Sequence, residues 1–360
     1  MSQQNWLVFV GTYTEGREST GIYSYKFDAN TGSLQPTGGV TEVVNPSFLA
    51  LDPTNRCLYA IAEVDEFDGI PGGAVFAYSV EPSTGALSLI NHQSSVGTGP
   101  CHIVVEASGR YVLVANYGGG SVSMLPISKN GGLEPASDFV QHEGSSVDHN
   151  RQQGPHAHSI FSAPKNLRAY APDLGLDKVL VYEMDLSQGK LRVNENYGSV
   201  TPGSGPRHFD FHPNGKQAYV INEMGNTITV YDYDSKDGKL VEKQSISTLP
   251  DDYSGTSHTA DVHVTASGKF LYGSNRGHDS LAMFQVDANS GKLEFIGTES
   301  TGGKNPRNFA IDPSDTFVLA ANQDSDNIVT LRIDPMSGEL TPTGSVCQAL
   351  TPVCLKFMPV

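Results

Sequence analysis

Charged residues are scarce in this chain. They make up 17% of its 360 residues, and the acidic ones prevail to a formal net charge of -16. So acidic a chain is soluble and repels a polyanion, which argues against a nucleic-acid partner but leaves room for a small basic site. No apolar run is long enough to cross a bilayer. The opening stretch, MSQQNWLVFVGTY, has no basic region ahead of its apolar residues, so neither a membrane segment nor a secretory signal is expected, and a cytoplasmic location is. Cysteine is sparse: Cys57, Cys101, Cys347 and Cys354 show no C-x-x-C spacing. Cys347 and Cys354 are close enough in sequence to pair, but free buried thiols in a reducing compartment are the expectation. The G-x-S-x-G elbow, the H-E-x-x-H zinc helix and the P-loop are all missing.

What the chain has in abundance is turns, with 38 Gly and 21 Pro. One pattern recurs: a short strand, a tight turn, and a second strand ending in Asn or Asp. It is plainest at 205–223, GPRHFDFHPNGKQAYVINE, where an Asn-Gly turn joins two β-rich runs as a hairpin. Related units stand at 45–63, 99–117, 156–174, 255–276 and 305–323, and a last one, 351–360, stops after one strand. A second signal interleaves, a turn of the D-x-x-x-G-x-L kind that leads into Leu34, Leu87, Leu133, Leu191, Leu240, Leu293 and Leu340. Both signals occur seven times, roughly every 50 residues, which is the signature of a β-propeller. The reading is therefore all-β: one domain over 1–360, a seven-bladed β-propeller with four antiparallel strands per blade. The unpaired strand VCLKFM at the C-terminus needs partners, and the N-terminal WLVFVGTY resembles a second strand. The last blade is expected to close with N- and C-terminal strands together, leaving no free sheet edge.

In such a ring the start of each first strand and the residue after each second strand crowd one mouth of the central channel. The first position holds Ser47, Cys101, His158, Arg207, Ala260, Arg307 and Val353. The second holds Glu63, Tyr117, Leu174, Glu223, Arg276, Gln323 and Tyr13. Asn116, Asp173, Asn222, Asn275 and Asn322 precede the second position and repeat, as scaffold does. The His, Arg and Glu do not repeat, which favours a site. His158, Arg207, Glu223 and Arg276 fall on consecutive units and combine a group that titrates near neutrality, a carboxylate and two permanent cations. Opening a cyclic ester needs an activated water, a stabilised oxyanion and a proton for the leaving alkoxide, and these groups supply them. Arginine also grips a carboxylate or phosphate through two parallel bonds.

Other readings stay open. Glu223 and Arg207 could form a plain salt bridge. His156 and His158, two apart on a strand, could ligate a metal. Glu63, Asn116, Asp173 and Glu223 could hold Ca²⁺ through oxygens. His208, His263 and His278 are either mouth-lining or structural, while His92, His142 and His149 are read as surface residues. The polar stretch from Ala136 to His158 should overhang the mouth as a lid, with Arg151 a candidate substrate contact.

GTYT near Gly11, HEGSSV and NRQQGPHAHSI, GPRHFDFHPNGKQAYVINE, ADVHVTASGKFLYGSNRGHDSL and GKNPRNFAIDP together resemble the seven-bladed propeller lactonase family. That family includes the propeller-type 6-phosphogluconolactonases and the fungal 3-carboxy-muconate lactonizing enzyme. The resemblance spans nearly the whole chain. It implies a cytoplasmic, metal-independent enzyme for lactones of small anionic molecules, with no cofactor. It matches the family's His, Arg, Glu and Arg to His158, Arg207, Glu223 and Arg276. The expected reaction is hydrolysis of 6-phospho-D-glucono-1,5-lactone to 6-phosphogluconate, with Glu223 and His158 activating water and returning the proton. Arg207 and Arg276 then hold the carbonyl oxygen or an anionic group, and His156, His208, Asn275, Arg307, Arg151 and Glu63 line the substrate. A lactonase or cycloisomerase for another acidic lactone is the nearest alternative. A non-catalytic scaffold binding a protein or peptide is the alternative of another class.

Overall fold

The computed structural model describes residues 6–164 and 167–360. The turn of the third repeat unit, at Lys165 and Asn166, and the first five residues of the N-terminal stretch lie outside the described residues. Seven four-stranded antiparallel sheets form the blades. Their innermost strands are Leu49–Leu51, Pro100–Val105, Phe161–Ser162, Pro206–Phe211, His258–Val264, Pro306–Ile311 and Pro352–Pro359. In six blades the strands follow one another outward in chain order. The seventh takes its inner strand from the C-terminus and its three outer strands from the N-terminus. Trp6–Thr12 lies antiparallel to Pro352–Pro359, from Trp6 against Pro359 to Gly11 against Cys354. The ring thus closes through hydrogen bonds between the two ends of the chain, which leaves no inner edge exposed.

Why these residues fold so is visible in the second strand of each blade. It is sandwiched between neighbours, and Cys57–Ala62, Gln217–Asn222 and Phe317–Asn322 are buried at every position. A tyrosine recurs there, and its hydroxyl reaches the next blade. Tyr59 donates to the Gly131 carbonyl (2.9 Å), Tyr170 to Gly238 (3.0 Å), Tyr219 to Gly291 (2.9 Å) and Tyr272 to Gly338 (2.8 Å). The acceptors are the glycines of the D-x-x-x-G-x-L turns, with φ between 68° and 85°, a conformation that favours glycine. The turn motif therefore both makes the hairpin and carries the clasp between blades, each bond adding about 1 kcal/mol net.

The repeating asparagines are structural, as their repetition implied. The Asn116 amide donates to Ser121 and Ser123, Asn222 to Thr227 and Thr229, and Asn322 to Asn327 and the Thr301 carbonyl. All four cysteines are free. Two features depart from the repeat. A small hairpin, Glu66–Phe67 with Ile70–Pro71, is added after the first unit. In the third blade the regular inner strand begins only at Phe161 rather than near His158, preceded by a lone bridge between Ala157 and Asp173. The His158 amide donates to the Pro172 carbonyl at 2.9 Å, but Pro172 has no N–H to return a ladder bond.

Candidate active site

The side chains of the mouth are aimed by a backbone irregularity. In the blades that start at Pro100, Pro206 and Pro306, the inner ladder shifts register one residue after the proline. The extra residue is Cys101, Arg207 and Arg307 respectively. A β-bulge takes one residue out of the two-residue alternation and re-aims its side chain. All three line the channel. In the last blade Val353 is the extra residue, between Pro352 opposite Thr12 and Cys354 opposite Gly11.

Two joined chambers result. The upper holds about 330 Å³ and is lined by Glu63, Cys101, Tyr117, Arg151, His158, Glu223, His258, Arg276 and Arg307. The lower has room for about one water, roughly 10 Å³, between Tyr13, Ser47, Phe48, Glu63, Cys101, His158, Arg207, His208, Arg307 and Val353. A larger cleft of about 410 Å³, beside Lys269, Ser314 and Arg332, lies apart from this cluster. It has no comparable gathering of ionisable groups, so the channel mouth is the stronger candidate.

Glu223 is the hub. Its Oε2 accepts from Arg207 Nε at 3.0 Å and its Oε1 from Arg151 Nη2 at 2.8 Å, while Arg276 Nη2, which donates to the Thr259 carbonyl, forms an ion pair with Oε2 at 2.9 Å. His158 Nε2 stands 3.8 Å from Oε2. Burial pushes the Glu223 carboxyl up, but Arg276 and Arg207 outweigh it and hold the group well below the usual carboxylate range. Glu223 is thus a permanent anion. The His158 imidazole behaves oppositely: burial, then Arg207, depress its pKa well below the usual imidazole value. It is neutral at pH 7, with Glu223 Oε2 3.8 Å from its Nε2 and Cys101 Sγ 3.8 Å from its Nδ1. Burial and Arg207 lower Arg276 to about 9, so it stays cationic at neutrality.

Across the mouth, Glu63 accepts from the Tyr13 hydroxyl at 2.9 Å and from the Ser47 hydroxyl. The Arg307 guanidinium lies 5.5 Å from the centre of the Tyr13 ring. It makes no hydrogen bond to the described residues. Arg276 Nε is likewise buried without a partner. A buried N–H left without an acceptor is costly, so these open donors suit an anionic ligand.

The chain matches the family model "Lactonase, 7-bladed beta-propeller" over residues 7–357. The chain belongs to the seven-bladed β-propeller lactonase family. A relative from Bacillus subtilis (strain 168), named 6-phosphogluconolactonase, is 37% identical over 98% of both chains. Among solved structures, a putative 6-phosphogluconolactonase from Bacteroides fragilis superposes with a TM-score of 0.91 at 34% identity, over 99% of both chains. A Pseudomonas aeruginosa periplasmic gluconolactonase superposes with a TM-score of 0.92 at 35% identity, over 98% of this chain and 99% of that one.

In this lactonase-family propeller, the four residues named first from sequence, His158, Arg207, Glu223 and Arg276, come together. Arg151, Glu63 and Arg307 join them in the upper chamber, and His208 lines the lower one. Arg151 comes from the long polar loop and spans from Tyr117 (3.1 Å) to Glu223. That loop is stapled by Ser146 to Asp177 and by Gln152 to the Leu174 carbonyl. Asn275, expected to contact substrate, does not reach the pocket: its amide is spent on Ser280 Oγ and the Thr248 carbonyl. His156 stands beside the pocket rather than in its wall. Its ring stacks on Tyr117 at 4.6 Å, and its Nδ1 bonds the Tyr117 carbonyl at 3.0 Å. This splits the His156–His158 metal reading.

The four-oxygen cation reading fails on Asp173, which is fully buried. Its carboxylate receives His142 Nδ1 (2.6 Å) and the backbone amides of His156, Gly175 and Leu176. His142, read as a surface residue, is instead buried between Asp173 and the Tyr182 hydroxyl. Its polar sequence neighbours conceal partners 31 and 40 positions away, in the next blade. His278 bonds Ser280 and His263 bonds Asp261, and neither lines the two chambers. The residues missed are Tyr13, Tyr117 and Cys101, which the repeat had placed at the mouth, and His258, which no sequence signal marked.

Proposed function

We propose that this lactonase-family propeller hydrolyses 6-phospho-D-glucono-1,5-lactone to 6-phosphogluconate, a step of the pentose phosphate pathway. The observation that carries the reading is a charge count. Around the joined chambers stand four guanidinium groups, Arg151, Arg207, Arg276 and Arg307, against two carboxylates, Glu63 and Glu223. A pocket with two surplus positive charges, inside a protein of net charge -16, fits a dianion such as a phosphate monoester. The names of the Bacillus and Bacteroides relatives support the same substrate.

In this mechanism the neutral imidazole of His158 takes a proton from water as its oxygen bonds to the lactone carbonyl carbon. Arg276 and Arg207 stabilise the charge on the carbonyl oxygen, an effect typically worth about 2.7–4 kcal/mol per donor. Collapse breaks the bond to the ring oxygen, which receives the proton from His158, and the new carboxylic acid ionises. Glu223, too well stabilised to serve as a base, holds the arginines in place. Arg307 anchors the phosphate. A phosphorylated sugar does not cross a bilayer unaided, so a cytoplasmic location goes with this substrate.

A second reading rests on the Pseudomonas protein's name: a gluconolactonase, for which the substrate carries no phosphate. Measuring acid release from freshly oxidised glucose 6-phosphate and from freshly oxidised glucose separates the two. The phosphorylated lactone should be preferred about 10–100-fold in kcat/KM, the worth of a charge-assisted contact. Equal or reversed preference overturns the phosphate assignment, and inactivity on both lactones overturns hydrolysis.

A further inference from the structure

Below the mouth the channel holds a carboxylate that the mechanism above does not use. Asp261 is 2% exposed. It sits in the only inner strand, among the described ones, whose register shift leaves two residues, Ala260 and Asp261, between Thr259 and Val262. Its Oδ1 accepts from His208 Nδ1 at 2.7 Å and from the Val262 amide at 3.0 Å. Its Oδ2 accepts from His263 Nε2 at 3.0 Å and from the Asn308 amide. A buried carboxylate is expensive to retain, and an apolar residue would often stabilise the fold as well. What the charge does is therefore to be sought in what it orients.

Of these contacts, the one to His208 leads to the site. With its Nδ1–H given to Asp261, His208 presents a bare Nε2, which accepts from Arg207 Nη1 at 3.2 Å. The other tautomer would set donor against donor at Arg207 and lone pair against carboxylate at Asp261. Arg207 is then held at three points: Nε on Glu223, and Nη1 on both the Ala260 carbonyl (2.6 Å) and His208. Nη2 is left with no partner among the described residues, and Arg207 lines the lower chamber beside His158.

We propose that Asp261 is a positioning residue that fixes the tautomer of His208 and, through it, aims the Arg207 guanidinium at the developing oxyanion. The inference rests on the lactonase reading and names a residue two bonds removed from it. Asp261 touches no substrate. It acts as the carboxylate behind a metal-bound imidazole does, where removal typically costs about 10–100-fold.

The test is a double-mutant cycle on purified protein with the phosphorylated lactone, paired with long-range ¹⁵N–¹H NMR of the His208 ring. Asp261→Asn should lower kcat about 10–100-fold, with KM changed far less because Arg307 still holds the phosphate. His208→Gln keeps an acceptor near Arg207 that needs no tautomer, so adding Asp261→Asn to it should cost less than about threefold, the sign of a shared path. The wild-type spectrum should show Nδ1 protonated and Nε2 bare. Equal losses in both backgrounds, or an undiminished kcat in Asp261→Asn, would mean that Asp261 is structural only. If Asp261→Asn does not fold, the wild-type tautomer decides: an Nε2-protonated His208 overturns the assignment. A wild-type protein inactive on every lactone sinks the functional reading instead, and the tautomer still stands or falls by itself.

Discussion

Replacing Glu223 with Gln keeps the shape of the hub and removes its charge. Three guanidinium groups then lose their common anion. Arg207 and Arg276 are 2% and 15% exposed in their side chains, whereas Arg151 is 39% exposed. The Arg151 contact is largely screened and adds little, about 0–1 kcal/mol. Breaking a buried pair by deleting one partner typically costs about 3–5 kcal/mol, because the remaining charge stays buried and unpaired. For a chain of this size that lowers Tm by roughly 4–7 °C. The signature lies in two further arms. A polyanionic ligand supplies the missing charge, so 6-phosphogluconate should raise the Tm of Glu223→Gln more than that of the wild type; saturation at 100 times Kd adds about 2.7 kcal/mol.

The second arm is pH. The folded Glu223 carboxyl lies well below its ordinary value of 4.5. Its contribution is therefore fully present above the unfolded value and lost as pH falls through the folded one. The gap in stability between wild type and variant should be constant from pH 6 to 8 and should narrow below about 4.5. Thermal melts by circular dichroism across pH, with and without ligand, read all three. A variant as stable as the wild type at pH 7, or one that the anion does not rescue, would refute the view that Glu223 holds together a cluster of buried cations.

Four other outcomes follow. His158→Gln should cut kcat by about 10²–10⁴ with little change in Tm, as loss of a general base does. Because burial and Arg207 depress His158, wild-type kcat/KM should stay level from pH 8 down through 6.5 and fall only at lower pH; a decline centred at 6.5 would assign the base elsewhere. Arg307→Ala should raise KM for the phosphorylated lactone about 10-fold or more yet leave Tm nearly unchanged, since the Arg307 guanidinium makes no hydrogen bond to the described residues and lies only against the Tyr13 ring. Dialysis against a chelator should leave activity intact, and a loss restored by added metal would revive a metal role.

How much of this was legible beforehand depends on the range over which each feature is decided. The blade count, the closure of the last blade and the crowding of His158, Arg207, Glu223 and Arg276 at one mouth all follow from a repeat whose hairpins form locally. The asparagines illustrate the limit. Their recurrence marks scaffold, yet a place beside the mouth also makes Asn275 a candidate substrate contact, and its Thr248 partner comes from the preceding loop, 27 positions back. His142 was misplaced for the same reason: its partners, Asp173 and Tyr182, are 31 and 40 positions off.

By itself the sequence determined the ring, because strand alternation, Asn-Gly turns and the glycine of each D-x-x-x-G-x-L turn are short-range demands that every repeat states again. Only the tertiary structure decided which way the mouth residues face. A bulge rotates Arg207 and Arg307 into the channel, and nothing but the assembled neighbouring blades sets the distance from one guanidinium to the next carboxylate. Charge assignments came last of all: Glu223 is an anion and His158 a neutral base because closing the ring strips both of water and surrounds them with arginines.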